Sequence, residues 1–123
     1  MCGYNNDVYS PELLDHFQNP RNTGEIADAD ASAQIENPVC GDVLRLSVKL
    51  HGTRIADIRF QAKGCVPTIA CGSALTELVK GLTVAEARSV TKRDLTQRVG
   101  GVPPTSGHAL QIAMEALQTV LKA

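Results

Sequence analysis

The stretch DVLRLSVKLHGTRIADIRFQAK, residues 42–63, decides the fold. Its first half alternates: Leu44, Leu46, Val48 and Leu50 point one way, and Val43, Arg45, Ser47 and Lys49 the other. A period of two marks a half-buried strand. His51-Gly52-Thr53 is turn chemistry, after which Ala56, Ile58, Phe60 and Ala62 alternate with Ile55, Asp57, Arg59 and Gln61. Two such runs across a short turn predict an antiparallel hairpin. Just upstream, Ala31, Ala33 and Ile35 predict a third, weaker strand, and Pro38, which cannot donate to a ladder, suits that strand to an edge.

Outward from the hairpin the spacing becomes helical. On the N-terminal side, Ser10-Pro11-Glu12 offers a serine cap with proline at the first helical position. Leu13, Leu14 and Phe17 follow at helical spacing, so a helix is expected from about Pro11 to Gln18. Asn19-Pro20-Arg21-Asn22-Thr23-Gly24 is turn chemistry and Glu25 to Asp30 is polar, so this region reads as a surface loop. On the C-terminal side, Gly64-Cys65-Val66-Pro67 ends the sheet. A helix bearing Ile69, Leu75, Leu78 and Val79 is expected from about Pro67 to Lys80, closed by Gly81.

Thr83 with Glu86, and Thr91 with Asp94, fit the pattern in which a hydroxyl and an acidic side chain satisfy the free amides of a helix start. Gly100 to Pro104 breaks the chain, and Ser106 can cap a last helix bearing Leu110, Ala113, Leu117, Val120 and Leu121. The order helix, sheet, helices predicts an α+β fold: a small antiparallel sheet of about three strands with helices packed on one face.

A chain of 123 residues, 43% hydrophobic and 20% charged, fits one domain spanning 1–123 with one modest core. Twelve basic against 13 acidic residues leave a net charge of -1, which supplies no basic field for nucleic acid or an anionic membrane. No apolar run approaches the roughly 18 residues that span a bilayer. The opening MCGYNNDVYS has neither a charged nor a hydrophobic signal region, so a cytoplasmic location is expected. In a reducing compartment Cys2, Cys40, Cys65 and Cys71 are better read as ligands, nucleophiles or core residues than as disulfides.

Chemistry gathers at three segment starts. In extended chain the side chains of Cys40 and Asp42 point the same way, roughly 6–7 Å apart at the backbone, so both can reach one ion. Cys65 stands just ahead of a helix start, a place that suits an anionic sulfur. His108 falls in the first turn of the last helix, where a neutral, metal-binding imidazole is favoured. Two thiolates, an imidazole and a carboxylate suit tetrahedral zinc, and mainly thiolate ligation suits iron-sulfur clusters. The spacing alone does not choose between them and matches no compact finger pattern.

Each residue also has an ordinary reading. Buried cysteine is common, Asp42 can satisfy amides at a strand entry, and His108 can be a helix-start residue. Cys71 projects about 120° away from Cys65 on the expected helix, which favours core packing. Cys2, near the N-terminus, reads as incidental.

Taken together, Tyr9-Ser10, the run from Asp15 to Gly24, and Asn37-Pro38-Val39-Cys40-Gly41-Asp42 resemble the opening of the IscU, NifU and SufU scaffold family. Phe60 to Cys65 resembles the family's second cysteine segment, Glu77 to Thr83 the helix end after it, and Pro103-Pro104 with His108 the third site segment. The likeness covers nearly the whole chain from Tyr9 onward. It implies a scaffold, not an enzyme, on which iron and sulfide are assembled into a cluster, of the 2Fe-2S kind. Sulfur would come from a cysteine desulfurase, and the cluster would pass to apo iron-sulfur acceptor proteins. By the same resemblance Cys40 and Cys65 would be cluster ligands and sulfur acceptors, Asp42 would keep the cluster labile, and His108 would lie beside or at the metal.

The departures are specific. The family carries a third cysteine directly after the histidine, and here that position is Ala109. The prolines of the chaperone-binding stretch are present, but its lysine is replaced by Ser106, which counts against a chaperone interaction. Cys71 would replace the lost thiol only if the helix start were distorted. Two thiols per chain would give four per homodimer, enough for a bridging cluster. The competing readings are a divergent zinc-binding paralogue, structural or regulating a desulfurase, and a metal-independent thiol enzyme with Cys65 as nucleophile and His108 as base.

Overall fold

The computed structural model describes residues 9–37 and 41–122. Along the chain run α1 (Pro11–Gln18), β1 (Ala31–Asn37), β2 (Asp42–His51), β3 (Arg54–Lys63), α2 (Val66–Val79), α3 (Val84–Arg88) and α4 (Lys92–Arg98). A short 3-10 turn (Pro104–Ser106) then leads into α5 (Gly107–Leu121). The three strands form one antiparallel sheet in the order β1-β2-β3. The sequence expectation of a small antiparallel sheet with helices on one face is therefore met.

Register puts the apolar sides together. Leu46 lies opposite Ala33 and Phe60, and Val48 opposite Ala31 and Ile58. Leu44, Leu46, Val48, Ile58 and Phe60 are all buried. α5 crosses β1 and β2, α2 lies on β3, and the two helices pack against each other. Small residues let α2 come close: a Cβ at Gly72 would sit 2.7 Å from the Phe60 ring. No helix among the described residues is long and apolar enough to cross a membrane.

The strict alternation expected of β3 fails at its start. Lys49 pairs with Asp57 and Leu50 with Ile55, so Ala56 is an extra residue opposite the β2 ladder. Such a bulge shifts the phase of the strand. Ile55 is buried and Ala56 exposed, the reverse of the simple pattern.

The expected surface loop at Asn19–Gly24 is present and is tied to the sheet. The Phe60 amide donates to the Asn22 carbonyl at 2.9 Å, and the Gly24 amide donates to the Phe60 carbonyl at 2.9 Å. Thr23 thus bridges Phe60 in parallel and covers part of the β3 edge. Asn22 reaches this position through a positive φ of 56, which asparagine tolerates better than most residues.

Helix starts follow the sequence closely. Ser10 accepts from the Leu13 amide at 2.9 Å, and its hydroxyl donates to the Val99 carbonyl, tying α1 to the end of α4. Thr83 with Glu86 and Thr91 with Asp94 both form reciprocal capping boxes. At α5 the expected cap differs: Ser106 is the flanking residue, but its side chain makes no capping bond and the 3-10 turn leads in instead. His108 still falls in the first turn.

α1 is fastened to α2 by a polar contact as well as by apolar packing. His16 is buried, and its Nδ1 lies 2.8 Å from Ser73 Oγ. Ser73 Oγ also accepts from the Arg21 amide at 2.9 Å. Arg21 Nη1, which can only donate, lies 3.2 Å from the same Nδ1, so Nδ1 is the acceptor and Nε2 carries the ring proton, facing Glu77 Oε1 at 3.6 Å.

Candidate metal centre

Antiparallel pairing creates the site. The first residue of β2 and the chain leaving β3 are neighbours because Val43 pairs with Lys63. Asp42 therefore meets Gly64 and Cys65, and Cys65 is the N-cap of α2. The packing of α5 on α2 and the sheet brings the first turn of α5, with His108, to the same place. One ligand atom each from Asp42, Cys65 and His108 lie within 4.8 Å of one another.

Every oxygen of the Asp42 carboxylate is engaged. Oδ1 accepts from the Cys65 amide at 3.2 Å. Oδ2 accepts from the Thr68 hydroxyl at 3.0 Å, stands 2.9 Å from His108 Nε2, and lies 3.6 Å from Cys65 Sγ. Asp42 is only 2% exposed, and a buried carboxylate requires such partners together with the amides of a helix start. Cys65 Sγ lies 3.7 Å from His108 Nε2 and 3.3 Å from Thr68 Oγ1. Cys65 and His108 are half-buried, so solvent or a partner can reach the cluster of ligands from one side.

Two contributors were absent from the sequence reading. Thr68 is wholly buried and bonds to two of the ligand residues. The signal that could have found it is its spacing: three residues after Cys65 in the first helical turn is directly above it. Gly64, with φ +146, is the other, since a Cβ there would come within 2.1 Å of Asp42 Oδ1.

The four expected ligands are only partly accounted for. Asp42, Cys65 and His108 converge, whereas Cys40 lies outside the described residues, as does Cys2. Cys71 faces the core with no exposure, and burial, with a smaller contribution from Cys65, pushes its thiol up to about 12. α2 is regular from Val66 and Cys71 points into the core rather than to the donor cluster, so the distortion that would let it substitute for the missing cysteine is not present. Ala109 is likewise wholly buried among core residues.

The geometry also bears on the thiol-enzyme reading. In a nucleophile-histidine-carboxylate relay the two partners use opposite ring nitrogens. Here Cys65 Sγ and Asp42 Oδ2 both face His108 Nε2, so they compete for one nitrogen. Side chains converging on one point in this way suit an ion with soft and hard donors.

Residues 8–123 match the NifU-like N-terminal domain family. The chain is 42% identical over 114 residues to the iron-sulfur cluster assembly scaffold protein IscU 1 of Archaeoglobus fulgidus, covering 93% of this chain and 74% of that protein. It is 39% identical over 116 residues to the scaffold protein IscU of Aquifex aeolicus, again covering 93% and 74%. Among solved structures it resembles a candidate iron-sulfur cluster assembly scaffold for the SUF system from Fervidobacterium islandicum. That match has a TM-score of 0.79 and 19% identity, and covers 96% of this chain and 99% of the other. At that identity the likeness concerns the fold.

Proposed function

The chain belongs to the family of NifU-like N-terminal domains, and on that premise we propose that it is an iron-sulfur cluster assembly scaffold. Iron and sulfide are its cargo rather than a resident cofactor. Asp42, Cys65 and His108 hold them, with Cys40, two positions before Asp42 in sequence, as a second thiolate. The observation that carries this reading is the convergence of three donor side chains from three separate elements within 4.8 Å.

The donor set fits a cargo that must leave. Thiolates bind iron firmly, whereas a carboxylate oxygen is a harder and weaker partner for a cluster iron. Asp42 already has protein partners for both oxygens, so the carboxylate is not left unpaired when the cluster departs. In this reading sulfur arrives from a cysteine desulfurase, Cys65 and Cys40 accept it as persulfide, an external electron donor reduces it to sulfide, and a 2Fe-2S cluster passes to apo acceptor proteins. Ala109 stands where a third thiol would, so Cys40, Cys65, Asp42 and His108 are the four donors this chain offers to the cluster irons.

The test is anaerobic incubation with a cysteine desulfurase, cysteine, ferrous iron and dithiothreitol, which reduces persulfide sulfur to sulfide, followed by addition of an apo-ferredoxin. Visible cluster absorption that builds on this chain and then moves to the ferredoxin is expected. A zinc-holding reading draws on the same mixed donor set, which also suits a tetrahedral ion. It predicts tightly bound zinc and no visible absorption under these conditions.

A further inference from the structure

We propose that Thr68 is a positioning residue for the metal centre, fixing the Asp42 carboxylate as a preset ligand; this rests on the scaffold reading above. The Thr68 side chain has no solvent exposure, so its single hydroxyl proton must go to a protein acceptor. Two acceptors are in reach: Asp42 Oδ2 at 3.0 Å and Cys65 Sγ at 3.3 Å. The carboxylate is the stronger one.

The bond completes a two-point clamp. The Cys65 amide holds Oδ1 and the Thr68 hydroxyl holds Oδ2, and both donors belong to the start of α2. A carboxylate gripped at both oxygens by one rigid helical turn cannot rotate. His108, the third partner of Oδ2, comes from a different helix and is free to exchange that contact for an ion. When an ion enters, Cys65 and His108 turn to it while Thr68 keeps the carboxylate plane in place. Hydrogen bonds of this kind from residues behind the ligands tune both orientation and donor strength.

The test is an anaerobic Co2+ titration of the whole metal-free chain, followed by visible absorption. Thr68→Val keeps the shape of the side chain and removes the donor. It is expected to weaken Co2+ binding about 10- to 100-fold, the usual effect of losing a partner behind a ligand. Thr68→Ser should restore most of the loss because the hydroxyl returns. In an Asp42→Ala background the Val substitution should change affinity by less than about twofold, the scatter expected of independent sites. If Thr68→Val does not fold, Thr68→Ala against Thr68→Ser makes the same comparison.

Unchanged or tighter Co2+ binding by the Val variant, or an equal loss in the Asp42→Ala background, overturns the positioning role. Failure of the wild-type chain to bind Co2+ overturns the metal-centre reading instead.

Discussion

Asp42 Oδ2 and His108 Nε2 stand 2.9 Å apart although the residues are separated by 66 positions. The contact joins the first residue of β2 to the first turn of α5, and α5 is the helix that covers most of the sheet. The cluster of donor side chains is thus built into the closure of the core. An imidazole resting on a clamped carboxylate is a latch: an ion entering between them would exchange their contact for bonds to both.

Gly64 is the position where this latch is most sensitive to a single methyl group. Its φ of +146 is unfavourable for a side chain, and an added Cβ would fall 2.1 Å from Asp42 Oδ1. Gly64→Ala should therefore displace Asp42, lower unfolding stability by about 1–3 kcal/mol and abolish Co2+ binding. Gly81→Ala, at φ +89 with nothing within 4 Å of the added Cβ, carries backbone strain alone. Denaturant unfolding with a parallel metal titration separates the two, because only the first variant should lose metal.

Cys71 and Cys65 should differ sharply toward alkylation. Cys71 is fully buried and its thiol is raised to about 12, whereas Cys65 is half-buried at a helix start. Mass mapping after iodoacetamide treatment of the native protein at pH 8 should find Cys65 modified and Cys71 intact. Cys71 should react only when denaturant is added. Cys71→Ala is expected to cost about 1 kcal/mol of stability through lost packing and to leave cluster assembly unchanged.

His16 makes folding sensitive to mild acid. Burial holds its titration below the ordinary 6.5, Arg21 adds to that depression, with a smaller contribution from Arg98, and Glu77 and Asp15 partly oppose it. Below pH 6.5 the unfolded chain takes up a proton that the folded chain refuses, so the unfolded state binds more protons. The contribution is whole above pH 6.5 and is lost as pH falls through the lower folded value. His16→Asn, which keeps an acceptor for Ser73, should flatten the stability profile in that window. Asp15, Glu86 and Asp94, all held below the usual carboxylate range by hydrogen bonds, weaken folding only at lower pH still.

The hairpin, the edge strand and the capped helices were legible because each rests on a local pattern: alternation, a proline, or a hydroxyl three residues before an acid. The phase slip at Ala56 was not, since a bulge is set by pairing with Lys49 and Leu50 rather than by the strand's own residues. Nor was the anchoring of Asn22 and Gly24 on Phe60, a contact between backbones far apart in sequence. At the site, residue chemistry pointed to Asp42, Cys65 and His108 separately, but only tertiary packing brings them together. Thr68 and Gly64 were missed because neither has ligand chemistry of its own; one works through a buried hydroxyl and the other through the absence of a side chain.

On the scaffold proposal, iron and sulfide bind at the cluster of Asp42, Cys65 and His108. The direct measurement is iron and acid-labile sulfide content, with visible absorption, after anaerobic reconstitution of the wild type, Cys65→Ser, His108→Ala and Cys71→Ala. Equal amounts of iron and sulfide in the wild type and Cys71→Ala, with loss in Cys65→Ser and His108→Ala, is the predicted result. Absence of sulfide from the wild type, or its retention in Cys65→Ser, would contradict it.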